Sequence, residues 1–248
     1  MSVELDGSTA LVTGATAGIG RAVALRLAKA GVVVVVHGRD AQRGAETVGE
    51  IESDGGKARF VAADLSDADQ VRALASEAGE VDILVNNAGV YRFGPTVDID
   101  DASFSAHIDT NLRAPFILVQ QLAPGMAVRG HGSIVNVSTF AASVPARGGG
   151  IYGASKAGLE LMTLVWADEF GPEGVRVNAV SAGPTRTPGT AVYGEAWEVS
   201  AGTVTTLGRV ADTDEIANAI VFLSSPLASY VSGAVLQVHG GLLAIAPR

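Results

Sequence analysis

Tyr152 and Lys156 stand four positions apart in a stretch of helical character, so their side chains share one helix face. A phenol beside an ammonium is a proton-transfer pair. Free tyrosine, with a pKa of about 10, is too weak an acid for base work near neutrality. A neighbouring positive charge favours the phenolate. On its own the spacing is more often a surface tyrosine with a solvated lysine. Ser138 adds a hydroxyl just past the apolar run 133–137. At the C-terminal end of a strand it can reach a ligand crevice and hydrogen-bond a substrate oxygen. The plainer use of such a serine is a cap or a turn. Asn111 sits inside a helical stretch, where asparagine is unfavourable because its side chain competes for backbone hydrogen bonds.

A second constellation is the loop Thr13-Gly14-Ala15-Thr16-Ala17-Gly18-Ile19-Gly20. It follows an apolar run and opens a helical pattern. Gly14, Gly18 and Gly20 permit a tight turn and close approach of backbone to a phosphate, while the helix N-terminus offers free N–H groups. The spacing is GxxxGxG rather than GxGxxG, and close strand–helix packing is the plainer reading.

Short β-branched runs must position these groups. Residues 9–13, 32–36, 58–62, 81–85, 133–137, 175–180 and 234–238 are nearly continuous apolar runs, as strands buried on both faces require. Helical patterns lie between them at 19–30, 41–53, 67–78, 101–128, 152–170 and 213–223. The alternation predicts an α/β fold: a single doubly wound Rossmann-type domain over 1–248, with a seven-stranded parallel sheet and helices on both faces. The pattern breaks at 182–206, which is rich in Gly, Pro and Thr and reads as a substrate loop. Its Val192, Tyr193 and Trp197 are candidate lid residues for a partly apolar ligand. Helix 152–170 is apolar on most sides, which calls for a second burial partner.

Bulk properties exclude several classes. At 48% hydrophobic and 17% charged residues, the chain can bury a large core. A net charge of −9 without a Lys/Arg cluster argues against nucleic acid and against an anionic membrane surface. Cysteine is absent, which removes disulfides and thiolate chemistry. His37, His107, His131 and His239 are far apart, so no metal site is expected. Without a secretory pattern the cytoplasm is the default expectation.

Taken together, the glycine loop, Asn86-Asn87-Ala88-Gly89, Ser138 and the Tyr152/Lys156 pair occur in an order that resembles the short-chain dehydrogenase/reductase family, particularly its 3-oxoacyl carrier-protein reductase-like members. The resemblance implies an NAD(P)-dependent enzyme acting on CH–OH/C=O groups, with Tyr152 as acid/base and Asn111, Ser138 and Lys156 beside it. It implies that Asn111 holds a water feeding a proton relay to Lys156. Asp64 and Leu65 would meet the adenine ring; Asn87, Ala88 and Gly89 would line the ribose. Val180 would stack on the nicotinamide and Thr187 would contact its carboxamide. Where the family has Pro-Gly, this chain has Ala182-Gly183.

At the end of the second strand, where an acid would bind a ribose 2′-hydroxyl, Gly38 is followed by Arg39. An arginine pairs with a 2′-phosphate, which favours NADP(H) and leaves NAD(H) as the alternative. The substrate is expected to be a small carbonyl or alcohol. A carrier-protein substrate has support from Arg129 alone, because the second docking arginine is replaced by Glu173. A non-catalytic dinucleotide sensor is the rival class. Apolar helix 152–170 and the tail after 238 predict a homotetramer, a dimer of dimers.

Overall fold

The computed structural model describes residues 5–241. The strands are β1 (Thr9–Val12), β2 (Val33–Gly38), β3 (Lys57–Ala62), β4 (Ile83–Asn86), β5 (Gly132–Thr139), β6 (Val175–Ala182), β7 (Thr185–Arg186), β8 (Ala211–Asp212) and β9 (Val235–Val238). Seven of them form one parallel sheet in the order β3-β2-β1-β4-β5-β6-β9, while β7 and β8 pair with each other. The helices are α1 (Gly18–Lys29), α2 (Ala41–Ser53), α3 (Ala68–Ala78), α4 (Asp101–Ile108), α5 (Ala114–Arg129), α6 (Gly150–Phe170), α7 (Gly194–Thr203) and α8 (Thr213–Ser224). The expected parallel α/β sheet with helices on both faces is therefore present.

The valine run of β2 shows why its apolar residues are consecutive. Side chains alternate along a strand. Val34 and Val36 enter a core with Val23, Leu27, Ile216 and Ile220 of α1 and α8. Val35 enters the opposite core with Val71, Leu74 and Leu118 of α3 and α5. Both faces are covered, so neither can be polar. At α3 the capping residue is Asp67, whose carboxylate accepts from the N–H groups of Asp69 and Gln70.

The expected helix 101–128 is interrupted. A π-helical turn at Asp109–Arg113 separates α4 from α5. Such turns occur inside helices and frequently at functional sites. The expected loop 182–206 contains β7 and α7. Arg186 of β7 ion-pairs with Glu198 of α7 and Asp212 of β8, which ties this segment to the body. The apolar excess of α6 divides in two: Leu159 and Trp166 are buried, whereas Leu161, Leu164 and Val165 are exposed. The tail 242–248, expected to form the second subunit interface together with the edge strand, lies outside the described residues. Among the described residues no helix is long and apolar enough to cross a membrane, and no group of three His, Asp or Glu side chains could hold a metal.

Candidate active site

Strand order reverses between β1 and β4, and a groove of about 710 Å³ runs along the C-terminal strand ends there. Gly14 and Gly18 have φ of 64° and 55°, a region that side-chain-bearing residues rarely adopt. Between them Thr16 approaches β2 so closely that a Cβ on Gly38 would lie 2.5 Å from its methyl group. The glycine at 38 is therefore a packing requirement as well as the absence of an acid. The loop is clamped by His37, which sequence reasoning left unassigned. Its Nδ1 accepts from Gly14 N–H at 3.2 Å and its Nε2–H donates to Ala63 O at 3.1 Å. Burial lowers its pKa to about 4, so it is neutral near pH 7. Gly20 lies off the groove. A Cβ there would stand 2.3 Å from Gly14 O, so its role is close packing of α1 on the loop.

Helix α1 starts at Ala17 with no side-chain cap and no acid in its first turn. With Thr16, Ala17, Gly18 and Ile19 lining the groove, its free N–H groups and positive dipole end suit a pyrophosphate. Arg39, Arg43, Asp64 and Leu65 line the groove beyond the ends of β2 and β3. Asp40 caps α2 and pairs with Arg43 at 3.1 Å. Among the described residues Arg39 has no ion pair, so Asp40 does not consume it. The Asp64 carboxyl is held below its usual range by the Ser66 N–H and hydroxyl. Asn87, Ala88 and Gly89 line the middle of the groove. The Asn87 amide donates to Thr13 O, at 2.8 Å, and to Gly14 O. Asn86 donates to Asn136, which donates to Thr163 of α6, a structural chain across the sheet.

At the other end Tyr152 lines the groove from the first turn of α6. Strand β5 runs to Thr139, beyond the expected end at 137, and its alternation separates two hydroxyls. Ser138 donates to Glu160 of α6 at 2.6 Å. Thr139 Oγ1 accepts from Ala141 N–H at 3.3 Å, and its hydroxyl stands near enough to the Tyr152 phenol to act on its pKa. The hydroxyl beside Tyr152 is thus that of Thr139, whereas Ser138 is occupied; the period of two along β5 was the available signal. Burial pushes the Tyr152 phenol up, with the Thr139 hydroxyl opposing that rise. The expectation that the lysine would pull the phenol down is not met. Lys156, buried under the site, donates to Val137 O at 2.8 Å, and desolvation lowers it to about 8. Burial likewise raises Glu160, with the Ser138 hydrogen bond opposing.

Asn111, on the π-helical turn, is fully buried and does not line the groove. Its Oδ1 accepts from Val90 N at 2.8 Å; its Nδ2 donates to Val90 O at 2.9 Å and Ser155 Oγ at 3.0 Å. Thr185, Thr187, Pro188, Gly189 and Thr190 close the groove opposite. Val180 is not among the lining residues: strand β6 turns it into the core, completely buried. Thr185, five residues on, reaches the groove instead. Of the three lid candidates Trp197 lines the groove. Tyr193 backs it at a ring distance of 5.9 Å, and Val192 stays exposed.

This combination of a doubly wound parallel sheet, an uncapped glycine-loop helix and a tyrosine–lysine helix over one groove has close relatives. A family model described as enoyl-(acyl carrier protein) reductase matches residues 14–243. The chain belongs to the short-chain dehydrogenase/reductase family, a family of oxidoreductases. A solved structure described as a short chain dehydrogenase/reductase family protein is 51% identical with a TM-score of 0.90, over 97% of this chain and 98% of the other. The 3-oxoacyl-[acyl-carrier-protein] reductase of Thermotoga maritima is 36% identical, over 97% of this chain and 100% of its own length. L-sorbose reductase of Gluconobacter frateurii, solved with NADPH and L-sorbose, is 29% identical with a TM-score of 0.93, over 99% and 100% of the two chains.

Proposed function

We propose that this protein interconverts a partly apolar ketone and its secondary alcohol using NADP(H), with Tyr152 as the acid/base. The observation that carries the reading is the Tyr152 phenol, lining one groove with Thr139, a buried Lys156 and the uncapped start of α1. The dinucleotide supplies the hydride in reduction and takes it up in oxidation. Tyr152 supplies the proton. Its raised pKa keeps the phenol protonated near neutrality, the form needed to donate to a carbonyl oxygen as hydride reaches the carbon. Thr139 hydrogen-bonds that oxygen, the role expected of Ser138. Lys156 contributes a positive charge below the site and anchors α6 to β5. Asn111 acts through Val90 and Ser155 as a positioning residue.

Arg39 takes the 2′-phosphate, supported by its freedom from ion pairs, by Gly38, and by the NADPH in the L-sorbose reductase relative. Asp64 and Leu65 border the adenine, and Thr187 meets the nicotinamide carboxamide. The carrier-protein reading has a named relative in its favour. Against it, Arg129 is engaged with Val81 O at 2.6 Å and Asp82, and Glu173 brings the wrong charge for an acidic partner. A purely sensing protein has no need of an acid protected by burial beside a second hydroxyl. The proposed assembly is a homotetramer. The test is NADPH consumption with a panel of carbonyl compounds, run with the wild type and with Tyr152→Phe. Turnover that survives the substitution undamaged overturns the acid/base assignment.

A further inference from the structure

The segment 90–94 is fastened by its alternate backbone groups. Val90 is held on both its N–H and its carbonyl by Asn111. Arg92 N–H donates to His107 Nε2 at 3.1 Å, and Gly94 N–H donates to Gly148 O at 2.9 Å. The intervening side chains, Tyr91 and Phe93, line the groove. Both rings meet Tyr152 edge-on, at centroid distances of 6.4 Å and 5.7 Å. Two glycines make room for them. A Cβ at Gly189 would lie 1.8 Å from the Tyr91 hydroxyl, and one at Gly149 would lie 2.9 Å from the Phe93 ring. Phe93 nevertheless remains 51% exposed, an apolar ring facing the groove without cover. Trp197 and Pro188 also line the groove.

Charge is distributed unevenly along the same groove. Arg39, Arg43 and Asp64 follow β2 and β3, whereas among the described residues Lys156 is the one charged side chain lining the Tyr152 end. That ammonium is buried and already hydrogen-bonded to Val137 O. An anionic substrate would lose its hydration there, and among the described residues no other cation lines that end to replace it. A sugar's hydroxyls would find the lining Thr185, Thr187 and Thr190, but against Phe93 and Trp197 they would meet ring faces and edges in place of hydrogen bonds.

We infer that the substrate is an uncharged ketone bearing an aryl ring next to the carbonyl, or the matching benzylic alcohol, with the ring held by Tyr91, Phe93 and Trp197. This rests on the oxidoreductase reading and sharpens its substrate class. The test compares kcat/KM of the NADPH-loaded protein for acetophenone, a ketose, an anionic 2-keto acid and an acetoacetyl thioester. Binding is followed in parallel through the fluorescence of bound NADPH. Acetophenone is expected to lead by about tenfold or more, the scale of one well-packed aromatic contact set. Phe93→Leu should remove most of that lead and Phe93→Tyr should retain it. Gly149→Ala, which pushes the Phe93 ring aside, should act like Phe93→Leu. A higher kcat/KM for the ketose, keto acid or thioester overturns the inference and leaves the oxidoreductase reading intact. Phe93-dependent binding of acetophenone with no turnover of any compound supports the ring site and overturns that reading. Absence of acetophenone binding overturns the inference.

Discussion

Two neighbouring hydroxyls at the end of β5 show how much one residue of register decides. Ser138 and Thr139 are adjacent in sequence, yet Ser138 donates to Glu160 while the Thr139 hydroxyl acts on the Tyr152 phenol and lowers its pKa against burial. Thr139→Ala should therefore lower kcat by about 10²-fold, the usual cost of losing one donor to a developing oxyanion. Ser138→Ala should stay within a few-fold, and Tyr152→Phe should lose about 10³-fold while still binding NADPH. Steady-state kinetics with a fluorescence titration of NADPH separate these outcomes. If Ser138→Ala proves the more damaging of the first two, the assignment to Thr139 is wrong. Arg39 makes its prediction at the opposite end of the groove. Arg39→Ala should weaken NADPH by about tenfold or more and NADH far less, because charge-assisted hydrogen bonds to a phosphate are lost only with the former. Equal losses, measured by titration, would remove the 2′-phosphate contact.

The glycine loop is an element held from behind by a neutral histidine. The His37 pKa falls to about 4 through burial, against about 6.5 in the unfolded chain. Between these values the unfolded chain binds the extra proton, so stability rises with pH. It is lost as pH falls from about 6.5 towards about 4, by about 3 kcal/mol over the whole window. Urea unfolding from pH 4 to 7 reads this slope, and His37→Gln, which does not titrate, should flatten it. An unchanged slope in the variant would assign the pH dependence to other groups. Nothing in the sequence marked His37, since its role depends on Gly14 and Ala63 arriving just past the ends of β1 and β3. By contrast, the sheet was legible because strands buried on both faces leave continuous apolar runs, as β2 does. The groove's glycines were legible because their spacing is local. The π-helical turn was not: it carries Asn111, whose pairing with Val90 is long-range. Val180 was misplaced for a related reason, since β6 continues to Ala182 and fixes which of its side chains face the core.

At the scale of the whole molecule, two of the places where apolar side chains of the described residues stay exposed lie away from the groove. On α5 and α6, Phe116, Leu161, Leu164 and Val165 are exposed, with Phe116 leaning on the buried Trp166 at 6.4 Å. These residues explain why α6 carries more leucine than one sheet can cover. The second location is the edge strand β9 with the segment leading into it, where Leu227 and Tyr230 are exposed. Unpaired strand edges and exposed apolar patches are hazards that proteins usually cover. Two separate patches, each meeting its own copy across a two-fold axis, generate four subunits. Light scattering should therefore give about four times the 25.1 kDa chain mass. Leu161→Glu combined with Leu164→Glu should split the assembly into dimers joined through the β9 edge, because the charges would be buried against their own copies without partners. A wild-type monomer contradicts both interfaces. A wild-type dimer that survives the double substitution contradicts the helical one, and a dimer that dissociates with it contradicts the β9 edge.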